Sequence, residues 1–192
     1  AQGSPLLVLA DGRTMLLNDS VGWGREADLQ QVRLDEQGIT YQQSDSLEKE
    51  EVFNTLIIPK GGEFQIQLAD GSRVWLNSET ELRYPVNFTA EKRRVFLKGE
   101  AYFEIAHNKE KPFYVNSIDI QVQATGTAFN VMAYKNENNL QVTLTEGGVN
   151  IEKDQQIISK LTPNLQFSIN KENGKFIVQT VDPRVATAWK NG

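Results

Sequence analysis

The chain contains no cysteine and a single histidine, His107, among its 192 residues. A disulfide framework and a thiolate metal site are therefore excluded. A zinc or iron centre built on two or three histidines is impossible within one chain. The lack of cysteine does not exclude an oxidising compartment; it means only that the fold does not use one. No run of about 18 apolar residues occurs, so no segment reads as a membrane-spanning helix, and no secretory signal is visible. Excess positive charge is missing too: 20 Lys and Arg stand against 25 Asp and Glu, for a net charge of −5 and a pI near 5.0. That balance argues against a nucleic-acid partner. The short basic cluster Lys92-Arg93-Arg94 reads as a solvated turn before a strand. The chain opens on Ala1 without an initiator Met, and the expectation is a trimmed boundary with an export signal or membrane anchor upstream.

What the chain has in quantity is alternation. Val95, Leu97, Ala101, Phe103 and Ile105 share one parity, and Phe96, Lys98, Glu100, Tyr102 and Glu104 share the other. Period two over this length predicts a half-buried strand. Leu97, Ala101, Phe103 and Ile105 should be buried, with Lys98 and Glu100 on the opposite face. Gly99 interrupts the apolar parity, as a bulge or a close backbone crossing would.

The same period marks most of the chain. Short strands are predicted at 6–9, 14–17, 32–34, 39–41 and 52–58. Others follow at 64–68, 74–76, 82–86, 118–124 (Ile118, Ile120, Val122 and Ala124), 129–133, 140–144, 149–151, 157–161, 165–169 and 176–178. Pro85 suggests an edge or a bulge. Gly22-Trp23-Gly24 has the look of a dinucleotide fingerprint but lacks the flanking strand and helix, and reads as a loop. Residues 42–51 are polar and read as an exposed connection. Leu9-Ala10-Asp11-Gly12 recurs as Leu68-Ala69-Asp70-Gly71, and each copy runs into a strand ending Leu-Asn, at Asn18 and Asn77. Two related hairpins at separate places are expected. No amphipathic helix precedes Asp182. Short strands with turn signals between them predict an all-β fold, an antiparallel β-sandwich or a β-solenoid-like stack.

Candidate chemistry is sparse. His107 sits in a polar turn without a nucleophile elbow nearby and reads as a surface residue. Glu100 and Glu104 lie roughly 13 Å apart along one strand face, wide for a glycosidase pair; with Lys98 they read as an exposed charge pattern. Asp11 and Asp70 fit turns in which the side chain bonds nearby backbone N–H groups, and neither has the acidic cluster that calcium needs. Trp23, Trp75, Tyr84 and Tyr102 would make a sugar-stacking platform if they shared a face; strand aromatics more commonly pack across strands. Asn18-Asp19-Ser20 and Asn87-Phe88-Thr89 fit the glycosylation sequon. The residues nominate no catalytic, cofactor or metal site.

From Gly61 to Ile151 the chain resembles the FecR family, the extracytoplasmic region of anti-sigma factors. The resemblance rests on Gly62-Glu63-Phe64, the run Leu68 to Asn77, Leu82-Arg83-Tyr84-Pro85, Arg94-Val95 and Gly99 to Glu104. Lys111-Pro112-Phe113, Gly126 to Val131 and Val142 to Val149 complete it. The order and spacing of these motifs are more specific than any one of them. The flanks fit the longer Bacteroidetes-type form. Pro163-Asn164 stands where similar proteins have Pro-Gly, and an altered turn is expected there.

The resemblance implies three parts: a β extension at 1–60 packed on the main domain, a FecR-type β domain at 61–181, and a linker at 182–192 leading to a further domain. It also implies a non-enzymatic periplasmic relay in a single-pass inner-membrane anti-sigma factor. The implied partners are the signalling domain of a TonB-dependent transporter, an extracytoplasmic-function sigma factor and a regulatory protease. No cofactor is implied. A carbohydrate- or ligand-binding β-sandwich is the alternative.

Overall fold

The computed structural model describes residues 3–17, 32–35, 38–41 and 50–192, with the backbone alone for 32–35 and 38–41. Trp23, the sequon at Asn18, the loop at 22–24 and the connection at 42–49 lie outside the described residues. The first strands are β1 (Leu6–Val8), β2 (Thr14–Leu16), β3 (Val32–Asp35), β4 (Gly38–Tyr41), β5 (Phe53–Ile57) and β6 (Phe64–Gln67). Next come β7 (Arg73–Leu76), β8 (Glu81–Pro85), β9 (Arg93–Glu104), β10 (Phe113–Ser117), β11 (Ile120–Ala124) and β12 (Ala128–Ala133). The last are β13 (Asn139–Glu146), β14 (Val149–Lys153), β15 (Gln156–Leu161), β16 (Leu165–Asn170) and β17 (Phe176–Thr180), followed by a short helix α1 (Pro183–Thr187) and a 3-10 turn, Ala188–Asn191.

These strands make one hydrogen-bonded network that divides at the long strand β9. The amino-terminal half of β9 pairs with β8 and β10, within a first sheet of order β2-β1-β5-β8-β9-β10-β11-β14-β15. Its carboxyl-terminal half pairs with β7 and β12, within a second sheet of order β3-β4-β6-β7-β9-β12-β13-β16-β17. Only the β9–β10 and β4–β6 pairs are parallel among the described strands. The fold is all-β and mainly antiparallel.

Gly99 is where β9 passes from one sheet to the other. Its φ is +105°, and a Cβ there would come within 2.5 Å of Thr80 Oγ1. A residue with a side chain would meet both a backbone penalty and a clash. The buried Thr80 hydroxyl fills the gap, accepting a hydrogen bond from the Glu100 amide and lying 3.2 Å from its carbonyl. The kink leaves parity intact. Val95, Leu97, Ala101, Phe103 and Ile105 all face one core with Leu56, Val115, Ile151 and Phe167. Phe103 stacks on Phe129 with ring centroids 5.2 Å apart.

The two Asp-Gly copies are the β1–β2 and β6–β7 hairpins, and their loops share the same backbone hydrogen bonds. Gly12 N–H donates to the Leu9 carbonyl and Gly71 N–H to that of Leu68. Each glycine takes a left-handed φ, +88° and +87°, as the glycine of a three-residue hairpin loop does. The Asp carboxylate accepts from the amide two residues on, Arg13 or Ser72, at 2.9 Å in both.

Two details, at Ile118 and Pro85, differ from the sequence expectation. Ile118 is not a strand residue; it forms the β10–β11 turn at φ +53° and is exposed, because Ser117 pairs directly with Ile120. Pro85 sits neither on an edge strand nor in a bulge. The β8–β9 ladder has already ended at Arg83, so the missing N–H of Pro85 removes no ladder bond on that side. At Pro163-Asn164 the turn runs through Asn164 at φ +70°, the left-handed conformation that asparagine tolerates. Phe176 and Val178 lie on β17, an edge strand whose five residues are all exposed.

Candidate functional site

Residues of the parity opposite the core form a transverse row on the outer face of the second sheet. Register aligns Trp75, Tyr102, Asn130, Thr143 and Gln166 across β7, β9, β12, β13 and β16. An outward polar row is ordinary in a two-layer fold. Here Asn130 and Thr143 are nevertheless 2% and 1% exposed. The cover is the tail. Asp182 caps α1 by accepting the Arg184 amide, with Pro183 at the first helical turn, a placement that suits proline. The turn that follows brings Trp189 onto the row, where its indole N–H donates to Asn130 Oδ1 at 3.2 Å. The Lys190 ammonium lies over both Tyr102, at 4.8 Å, and Trp75, at 5.4 Å.

Glu100 is the anionic member of this site, and it corrects the expectation of an exposed charge pattern with Lys98. Glu100 is 9% exposed. Its carboxylate accepts from the Asn77 and Asn130 amides at 2.8 and 2.9 Å. A buried carboxylate needs such donors. Lys98 instead faces Glu81 across the first sheet at 3.8 Å, and Glu104 pairs with Arg73 at 2.7 Å. Glu100 and Glu104 thus serve separate partners and form no acid–base pair. Between the tail and the sheet lies a groove of about 560 Å³ lined by Met132, Gln141, Gln166 and Val185 as well as Glu100 and Asn130. Burial pushes the Tyr102 phenol up from its ordinary pKa, offset in part by its hydrogen bond to Thr145. Burial likewise pushes Tyr134 up to about 12.

The four aromatics do not assemble into a sugar platform. Tyr84 is wholly buried in the core. Trp75 and Tyr102 meet edge to face at 5.6 Å beneath Lys190, and Trp23 is outside the described residues.

A second site centres on Arg93. Arg93, expected in a solvated turn, is 1% exposed. Its Nη1 donates to Asp70 Oδ2 at 2.7 Å and to the Ala106 carbonyl at 2.9 Å, and its Nε donates to the Lys111 carbonyl at 2.7 Å. The guanidinium lies 5.3 Å over the Phe113 ring. It therefore ties the second hairpin to the loop at 105–112, which carries His107. The parity of Arg93 with Val95 and Leu97 was the available signal, overridden by the residue type. His107 is exposed, and its ring lies on Gly126, where a Cβ would come within 2.5 Å of Nδ1. Among the described residues, no three His, Asp or Glu side chains are grouped as a metal site.

This arrangement holds a covering segment over a row of polar groups. Comparison with known proteins agrees with the residue motifs. The family described as FecR protein matches residues 54–150. The chain belongs to the FecR family. Two crystal structures of a candidate anti-sigma factor from Parabacteroides distasonis, at 2.50 and 1.65 Å resolution, share 33% identity with the chain at TM-scores of 0.70 and 0.69. They cover 73% and 72% of this chain, and the chain spans 65% of the length of each. No curated protein matches. No helix among the described residues is long and apolar enough to cross a membrane.

Proposed function

We propose that this FecR-family chain is the periplasmic relay region of a membrane-anchored anti-sigma factor. In this reading it couples a TonB-dependent transporter in the outer membrane to an extracytoplasmic-function sigma factor. The observation that carries the reading is the family match over 54–150, joined by the anti-sigma description of the Parabacteroides structures. The sigma factor is bound by a cytoplasmic part, and a regulatory protease acts on the periplasmic side. The β domain at 61–181 carries 1–60 as a packed extension, and 182–192 leads to a further domain that makes much of the transporter contact. The region works by binding and not by catalysis.

The docked tail supplies a physical route for the relay. A partner that binds the tail more tightly when it is undocked shifts the docking equilibrium, by no more than its difference in affinity for the two states. The test is an in-frame deletion of residues 54–150 from the full-length protein in its own cell. The expected result is sigma-dependent transcription that no longer responds to the transporter's substrate. Unchanged inducibility contradicts the reading. Transporter binding by this chain and by a carboxyl-terminally extended form tests the role of the further domain, and equal affinity contradicts it.

A further inference from the structure

The loop anchored by Arg93 borders a cavity of about 290 Å³, at the small end of ligand pockets, and among the described residues lining it the charge is not balanced. Asp70, Arg93, His107, Lys111 and Thr89 all line it. The Asp70 carboxylate is fully engaged. Its Oδ1 accepts the Ser72 amide, and its Oδ2 accepts the Ser72 hydroxyl and Arg93 Nη1. The ion pair with Arg93 cancels its charge. Arg93 itself keeps unused capacity. Its Nη2 carries two N–H groups, yet its one contact is the Asn108 carbonyl at 3.5 Å, at the limit of hydrogen bonding. This underused donor belongs to a guanidinium whose side chain is 2% exposed.

Lys111 adds the unbalanced charge. Its ammonium donates to the Phe88 carbonyl, leaving further N–H groups of the three it has. None of the ion pairs among the described residues involves Lys111. A half-buried ammonium beside an unfilled guanidinium donor favours an anion, because the attraction grows where water is partly excluded. The chain as a whole is acidic, so this pocket runs against the general charge.

We propose that the cavity binds a compact oxyanion, a carboxylate or a phosphate group, held by Lys111 Nζ and Arg93 Nη2 with His107 at the rim. The site lies apart from the groove beneath the tail, and it stands whether or not the relay reading does.

The test is a heteronuclear NMR titration of the chain with inorganic phosphate and, in a parallel series, with acetate, both at ionic strength held constant with chloride. The expected result is saturating shifts of the His107 ring and the Arg93 Nε–H, with half-saturation in the millimolar range. Lys111→Ala should weaken this by about tenfold or more. His107→Ala, at an exposed loop position, should weaken it by a smaller factor, and it carries the test if Lys111→Ala fails to fold. Lys98→Ala should change nothing. Saturation by either probe, weakened in these variants, supports the site, and the series that saturates names the oxyanion. Shifts that rise without saturating in both series, or that neither variant weakens, overturn it.

Discussion

The two Asp-Gly hairpins share a sequence, a loop and a left-handed glycine, and they have different tertiary roles. In the first, Asp11 turns its second carboxylate oxygen to Arg13 two residues on, and both side chains stay exposed at 49% and 41%. In the second, Asp70 shares the same oxygen between the Ser72 hydroxyl and Arg93, 23 residues away, and the pair with Arg93 is buried with side-chain exposures of 12% and 2%. Among the described strands the first hairpin lies at an edge of its sheet, where β1 pairs with β5. The second delivers β7 to the kinked strand β9, and so carries Trp75 into the row that the tail covers. Local sequence sets the turn, and position in the sheet order decides whether its aspartate serves the loop alone or the whole domain.

That contrast can be broken by substitution. The largest effect is expected at Asp70. Asp70→Ala strands a buried guanidinium and should cost about 3–5 kcal/mol, read by denaturant unfolding, whereas Asp11→Ala should leave the melting temperature nearly unchanged. Comparable losses from the two would erase the distinction. Gly12→Ala and Gly71→Ala come next. Neither added Cβ meets an atom within 4 Å, so each should cost the same left-handed penalty of about 1–2 kcal/mol. Unequal costs would show that the loops are not equivalent. Trp189→Ala should lower global stability by a similar or smaller amount, about 1 kcal/mol for its hydrogen bond plus lost packing. It should sharply raise hydrogen exchange at 183–191 and on β12 and β13. Unchanged exchange there would separate the tail from the row.

Acid gives the smallest effect. Hydrogen bonding from the Arg13 amide leads the causes that hold the Asp11 carboxyl below the ordinary range. A folded pKa below the unfolded one means that its contribution is present at neutral pH and is lost as pH falls through the folded value. Because Asp11 is exposed, the loss should be slight, and Asp11→Asn should remove only that small part of the acid dependence.

Much of this architecture was legible in the chain. Parity along β9 placed Leu97, Ala101, Phe103 and Ile105 in the core, because alternate residues of a strand must face opposite sides. Gly99 marked the crossing, and the repeated Leu-Ala-Asp-Gly marked both hairpins. Ile118 was misplaced because a two-residue turn overrode β-branched propensity. Arg93 and Glu100 were misplaced for a different reason. Charge type predicts exposure only until a distant partner arrives, and those partners, Asp70 for one and Asn130 with the covering tail for the other, come from segments that sequence spacing does not bring together. The family motifs were readable, but the groove under the tail and the cavity beside Lys111 were not, since both depend on which loops converge.

The claim that one turn serves two roles is tested most directly by a pair of double-mutant cycles on unfolding free energy, Asp70→Asn with Arg93→Met and Asp11→Asn with Arg13→Met. A coupling of about 2–3 kcal/mol is expected for the buried pair and none outside error for the exposed one. Equal couplings, or a buried coupling under about 0.5 kcal/mol, would contradict it.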